Sequence, residues 1–317
     1  MLPSLNAIVK TYDIRGLVGV ELTEEMVEAV AAGFVDELGL AGKDVVVGHD
    51  MRDSSPAFAA AFAKGARARG GNVISLGLCS TDQSYFASGT LNAASAMFTA
   101  SHNPAAYNGI KLSRAGARGI SLDTGLAAIR DRANAYLEHG IEPVAAEGSF
   151  RVLDTLAEYS AYLRKLVNLE TIRPLKVVVD AGNGMAGYTA PAVFKKINAE
   201  VIEMYFELDG TFPNHEANPI DPENLRDLQK AVKKHKADIG LAFDGDADRC
   251  FLVDERGVAV NPSALTALIA QRELKKRPGS KIIYNLISSR AVQEVIAENG
   301  GTGLRSRVGH SYIKKMM

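Results

Sequence analysis

Val45-Val46-Val47-Gly48, Ser55-Pro56 and Val73-Ile74-Ser75-Leu76 decide the fold. The first run is apolar, β-branched and too short for a helix, so it reads as a strand buried on both faces. Ser55 and Pro56 then open a helix, with proline where a missing N–H costs nothing. Its apolar side carries Phe58, Phe62 and Ala66, and Gly70-Gly71 stops it. The last run is a second strand, giving strand, helix, strand.

Outward from this stretch the layout recurs. Val177-Val178-Val179 precedes a glycine-rich turn, a helix through Val193 and Phe194, and Val201-Ile202. Ile282-Ile283-Tyr284 precedes a helix from Ser288 or Ser289 through Val292 and Ile296 to Gly300-Gly301. Right-handed crossovers of such units predict an α/β protein: repeated three-layer α/β domains with mixed, mainly parallel sheets. The polar stretch from Gly140 to Ser149 leads out of a first domain, 1–150. Apolar residues at helical spacing from Leu153 to Val167 open a second, 151–255. The turn Asp254-Glu255-Arg256-Gly257 separates it from a third, 256–317.

Composition narrows the function. Nearly half the residues are apolar and the formal net charge is -1. No basic excess points to nucleic acid, and no basic amphipathic stretch points to a membrane surface. No run approaches the roughly 20 apolar residues that span a bilayer, and no signal peptide precedes the first unit, so a cytoplasmic location is expected. Cys79 and Cys250 lack metal-ligand or disulfide spacing and read as small buried residues.

Two segments carry chemistry. Thr99-Ala100-Ser101-His102-Asn103-Pro104 sets a serine on a turn at the end of a strand, where Asn-Pro favours turn initiation. Serine is a poor nucleophile unless a base or a metal assists it. His102 is placed to move a proton, and Lys111 to offset phosphate charge or act as acid or base. The plain alternative is a polar turn. A serine hydrolase is disfavoured, because no Gly-x-Ser-x-Gly elbow surrounds this serine.

The second segment is Asp244-Gly245-Asp246-Ala247-Asp248-Arg249. Alternation on an extended segment predicts three carboxylates on one side. They repel one another unless a cation neutralises them, and Mg2+ suits such a site if phosphate adds an oxygen. A calcium loop fails because Arg249 stands where that loop's sharp turn needs glycine, despite Glu255 at its last position. A solvated acidic turn is the plain alternative. Gly182-Asn183-Gly184-Met185-Ala186-Gly187, with Glu203 downstream, also fits a dinucleotide fingerprint. Such glycines serve any tight strand-to-helix turn equally well, and Asp180 before them reads as a brace for that turn.

Taken together these segments resemble the α-D-phosphohexomutase superfamily, most closely its phosphomannomutase/phosphoglucomutase branch. The resemblance covers essentially the whole chain. It rests on Lys10 to Gly16, Asp50 to Pro56, Thr99 to Pro104 with Tyr107 to Lys111, Pro213 to Pro219, Asp244 to Arg249, and Arg307-Val308-Gly309-His310, in that order.

The resemblance implies a phosphoserine enzyme. Ser101 would exchange a phosphoryl group with a hexose 1- or 6-phosphate of mannose or glucose, through a bisphosphate intermediate. Asp244, Asp246, Asp248 and a phosphoserine oxygen at Ser101 would hold Mg2+. Arg15, Lys111 and Arg249 would offset charge, and His102 or Lys111 would be the acid or base. Arg52, Gly309 and His310 would bind substrate, and a hexose 1,6-bisphosphate would be the activator. The partner would be the phosphorylated hexose, without nucleic acid or membrane.

Two departures stand out. Ile287 occupies the place of a family lysine, and the chain stops soon after His310. The resemblance therefore implies a C-terminally truncated member, with the third domain incomplete, the fourth domain absent and activity reduced. The alternative is a non-catalytic fragment or interaction module that self-associates through the surface exposed by truncation.

Overall fold

The computed structural model describes residues 5–317, apart from the side chains of Glu170, His310 and Ser311. The first unit runs α1 (Leu5–Ile8), β1 (Ile14–Leu17), α2 (Glu24–Leu38), β2 (Asp44–His49), α3 (Ser55–Ala68), β3 (Asn72–Leu78) and α4 (Thr81–Thr90). It continues with β4 (Ala94–Phe98), β5 (Tyr107–Arg114), β6 (Arg118–Gly119), α5 (Leu126–His139) and β7 (Phe150–Val152). These strands form one sheet in the order β1-β5-β4-β2-β3-β7, with β6 beside β5. Strands β4, β2, β3 and β7 are parallel; β1, β5 and β6 run antiparallel to their neighbours.

The valine run behaves as its sequence requires. Val45 and Val47 join the core beneath α2, α3 and α5, while Val46 joins a second core with Cys79, Ala87 and Met97 beneath α4. A central parallel strand covered by helices on both faces has no solvent side, so alternation disappears. The helix after it starts at Ser55 with proline in its first turn. Strand β7 straddles residue 150 and pairs with β3, so the first sheet reaches two residues beyond the expected limit of the first domain.

The second unit holds α6 (Leu156–Val167), β8 (Leu175–Asp180), α7 (Ala186–Phe194), β9 (Ala199–Met204), α8 (Arg226–His235), β10 (Ile239–Phe243) and β11 (Cys250–Asp254). Its sheet order is β11-β10-β8-β9, parallel except for the β10-β11 hairpin. Val178 and Ala242 pack with Leu228 and Val232 of α8, and Val177 and Val179 with Ala190 and Phe194 of α7.

The third unit holds α9 (Pro262–Lys276), β12 (Lys281–Asn285), α10 (Arg290–Glu298), β13 (Thr302–Ser306) and α11 (His310–Met316). Strands β12 and β13 are parallel, and Tyr284 packs with Leu274, Val292 and Ile296. Helix α11 reaches the first unit, where Lys314 Nζ stands 3.9 Å from the centre of the Tyr85 ring. Among the described residues no helix is long and apolar enough to cross a membrane.

One expectation is corrected here. Cys79 is buried, and burial pushes its thiol up to about 12, but Cys250 is exposed at the start of β11. An apolar run on a short outer strand predicts burial on average, not at its first residue.

Candidate active site

The chemistry-bearing loops all leave the carboxyl ends of parallel strands, where open α/β sheets place their ligands. Asp50 and Arg52 follow β2, Thr81 follows β3, Ser101 follows β4, Asp180 ends β8 and Asp244 follows β10. Two sheets thus deliver their loops to one place.

Ser101 is fully buried with φ 52°, a left-handed conformation that is rare for a serine. Strain of this kind persists only where surroundings enforce it. Here the Ser101 N–H donates to Thr99 Oγ1 at 2.8 Å, and the Ser101 carbonyl accepts from Arg52 at 3.0 Å. The hydroxyl donates to Asp244 Oδ2 at 2.7 Å. His102 Nδ1 lies 3.3 Å from the same hydroxyl oxygen.

The aspartate loop contradicts one expectation and keeps its consequence. It is a turn between β10 and β11, not an extended segment, and Ala247 has φ 58°. The three carboxylates still converge, each offering an oxygen within 4.8 Å of the others. Glycine at 245 is required by close approach: a Cβ there would stand 2.5 Å from the Ser101 carbonyl oxygen. Gly184 is required likewise, since its Cβ would stand 2.7 Å from the Gly245 carbonyl oxygen, and Met185 N–H donates to that oxygen at 2.9 Å. The glycine-rich turn that resembled a dinucleotide fingerprint is therefore filled by the aspartate loop, and Asp180 Oδ1 braces it by accepting from Gly182 N–H at 2.9 Å.

Electrostatics set the character of this cluster. Burial, then the charges of Asp246 and Asp248, push Asp244 well above the usual carboxylate range. Burial acts on Asp246 too, but Lys111 and the hydrogen bonds from Lys111 and Thr81 outweigh it and hold that group low. Lys111 Nζ lies 2.5 Å from Asp246 and 2.7 Å from Asp248. Burial opposes its charge, but these carboxylates keep the ammonium well above its ordinary value. Asp246 Oδ1 is buried and has no hydrogen-bond partner among the described residues. A buried lone acceptor beside two further carboxylates fits a hard divalent cation such as Mg2+.

The flanking cations are placed as follows. Arg15 donates to Asn103 Oδ1 and to Asp13, both at 2.7 Å, so it braces the serine loop from β1. Arg249 donates to His102 Nδ1 at 3.0 Å. Burial, then Arg249 and Arg15, lower His102 to about 4, so its imidazole is neutral at neutral pH.

Arg52 departs from its expected role. It is 2% exposed, and its guanidinium donates to the carbonyls of Ser101, Asn103, Pro104 and Tyr107 at 2.7 to 3.0 Å. Asp50 pairs with it at 3.3 Å, and Phe212 covers it with ring centre 5.1 Å away. No face is left for a sugar, so Arg52 shapes the serine loop. The family-like motif identified the residue but not its burial. Gly309, with φ 127°, precedes α11, and the His310 side chain lies outside the described residues. Ile287 is exposed between β12 and α10.

Sequence reading misses Thr81 and Phe212, and it places Asn108 within the serine-loop run without assigning it a role. Asn108 donates to Ser54 and Ser55 at 2.8 and 2.9 Å and ties the start of α3 to β5. Ser80 and Gln83 mark a capped helix start, but nothing local to Thr81 reports its contact with Asp246, 165 residues away.

His215 gives a pH prediction. Its Nε2 lies 3.0 Å from Asp180 Oδ2 and its Nδ1 2.8 Å from the Glu216 carbonyl, so both nitrogens face acceptors. Burial disfavours the imidazolium, but Asp180 and the Glu216 carbonyl raise it above its ordinary 6.5. The stabilisation is fully present below the unfolded value and fades as pH rises through the raised one. As pH rises from 6.5 through the raised value the denaturation midpoint should fall, and fall less in His215→Gln. An identical pH slope in both proteins contradicts this.

Comparison with known proteins agrees with this geometry. Sequence models of the phosphoglucomutase/phosphomannomutase α/β/α domains I, II and III match residues 6–139, 157–257 and 261–317. A phosphohexose mutase of Xanthomonas campestris pv. campestris is 42% identical over 312 residues, covering 97% of this chain and 68% of the relative. A phosphomannomutase of Salmonella montevideo is 40% identical over 316 residues with the same coverage. The crystal structure of a phosphoglucomutase/phosphomannomutase family protein from Burkholderia thailandensis superposes with TM-score 0.90 at 34% identity, covering 99% of this chain and 69% of that one. Sequence and fold together establish that the chain belongs to the phosphoglucomutase/phosphomannomutase family of the α-D-phosphohexomutase superfamily, a family of mutase enzymes that transfer phosphoryl groups.

Proposed function

We propose that the chain interconverts hexose 1-phosphate and hexose 6-phosphate, of mannose or glucose, through a phosphoryl group carried on Ser101. The observation that carries this reading is the Ser101 hydroxyl, held at 2.7 Å on a carboxylate of the acidic cluster. The names of the relatives, a phosphohexose mutase and a phosphomannomutase, support the substrate class. In the same reading the working units are the expected 1–150, 151–255 and 256–317, with β7 carrying the first of them on to residue 152.

Ser101 Oγ bonds to phosphorus as the bond from phosphorus to the sugar oxygen breaks. The serine proton leaves, and the sugar oxygen gains one. A hexose 1,6-bisphosphate first loads the serine; the loaded serine then phosphorylates a monophosphate, and the resulting bisphosphate turns over before its other phosphate returns. Asp244, Asp246, Asp248 and an oxygen of the phosphoryl group on Ser101 would hold Mg2+, which would supply charge neutralisation for the transferring group. Lys111, already an ammonium, and Arg15 and Arg249 offset the remaining charge. Asp244 Oδ2 accepts the Ser101 proton at 2.7 Å, and His102 Nδ1, 3.3 Å from the same oxygen, is the next acceptor; Arg249 occupies that nitrogen, so Arg249 must turn toward phosphate to free it. Gly309 and His310 are the substrate contacts of the third unit.

Phosphorus NMR tests the activity. Glucose 1-phosphate or mannose 1-phosphate, supplied with Mg2+ and catalytic glucose 1,6-bisphosphate, should convert to the 6-phosphate. No conversion of either sugar by folded protein overturns the reading.

A further inference from the structure

Asp246 is gripped at one oxygen only. Its Oδ2 accepts from Thr81 Oγ1 and from Lys111 Nζ, each at 2.5 Å, while Oδ1 has no hydrogen-bond partner among the described residues. Thr81 also donates its backbone N–H to the Asp246 carbonyl at 3.1 Å. One residue thus holds both the main chain and the side chain of Asp246, across the boundary between the first two units.

The direction of the hydroxyl is fixed. Lys111 Nζ, an ammonium, donates to Thr81 Oγ1 at 3.5 Å, so the threonine's own proton goes to Asp246. Thr81 itself is fully buried in the first turn of α4, whose start is set by Ser80 accepting from Gln83 N–H at 3.2 Å. The donor is carried on a capped helix, and its aim follows from the position of that helix.

We propose that Thr81 is a positioning residue for the divalent cation: by engaging Asp246 Oδ2 it turns Oδ1 toward the acidic cluster and sets the affinity for the metal. This rests on the reading that Asp244, Asp246 and Asp248 hold such a cation. Partners behind a metal-ligating carboxylate commonly contribute about 10- to 100-fold in metal affinity. Valine at position 81 keeps the shape and the methyl group but has no hydroxyl. Serine keeps the hydroxyl and loses the methyl.

Isothermal titration with Mg2+ alone, beside thermal unfolding without metal, separates these roles. Thr81→Val should raise the Mg2+ dissociation constant about 10- to 100-fold, while Thr81→Ser stays within about threefold of the unsubstituted chain. Equal affinity in Thr81→Val and the unsubstituted chain overturns the proposal. So does equal weakening in both variants accompanied by equal loss of metal-free stability, which would make Thr81 a packing residue. If the unsubstituted chain takes up no Mg2+, the reading of the cluster as a cation site falls, and the proposal falls with it.

Discussion

Ser101→Ala is expected to lower hexose-phosphate interconversion by more than about a thousandfold, because it removes the atom that would bond to phosphorus in the proposed mechanism. The change is chemically narrow. The Ser101 main chain keeps its bonds to Thr99 and Arg52, and only Asp244 Oδ2 loses a donor. One lost hydrogen bond costs about 1 kcal/mol, too little to unfold a domain. Activity should therefore vanish while circular dichroism and the unfolding midpoint change little. Turnover within tenfold of the unsubstituted chain would mean that the serine carries no phosphate.

The second large effect is expected at Arg52. Arg52→Met keeps the length of the side chain but leaves Asp50 buried without its counter-charge and removes donors from four backbone carbonyls. Removing one partner of a buried ion pair typically costs about 3–5 kcal/mol. Ser55 still donates to Asp50 at 2.6 Å, which limits but does not remove the loss. Arg52→Lys should fall between the two, because an ammonium cannot reproduce the planar fork that reaches several carbonyls at once. Activity should fall with stability in both variants, since the Ser101 conformation depends on these bonds. Urea unfolding and turnover measured together check this. A stable Arg52→Met protein with raised KM alone would restore the sugar-binding role that the sequence suggested.

The contrast between Ser101 and Arg52 shows how far the sequence reaches. Ser101 was legible because a strand end, a turn residue and a family-like run agree on one exposed-looking loop. Arg52 lies in an equally recognisable run, yet its role turns on burial beneath a loop from another part of the chain, covered by Phe212. The buried strands were legible from their unbroken valines, since a sheet covered on both faces needs no alternation. The aspartates were legible as a set but not in their geometry: a turn with Ala247 in a left-handed conformation brings them together, and alternation on a strand does not. Thr81 was not legible, because its partner lies in the second unit and local sequence records only a helix start.

The glycine-rich turn gives the opposite lesson. Its pattern matched a phosphate-binding fingerprint, while the structure uses its glycines to admit the aspartate loop. A spacing of glycines reports close approach of something, and only the fold says whether that neighbour is a ligand or another stretch of backbone.

The most direct test is peptide mapping by mass spectrometry after incubation with glucose 1,6-bisphosphate and Mg2+. One added phosphate is expected, on the peptide containing Ser101, and none in Ser101→Ala. Phosphate on another residue, or none on folded protein that binds Mg2+, contradicts it.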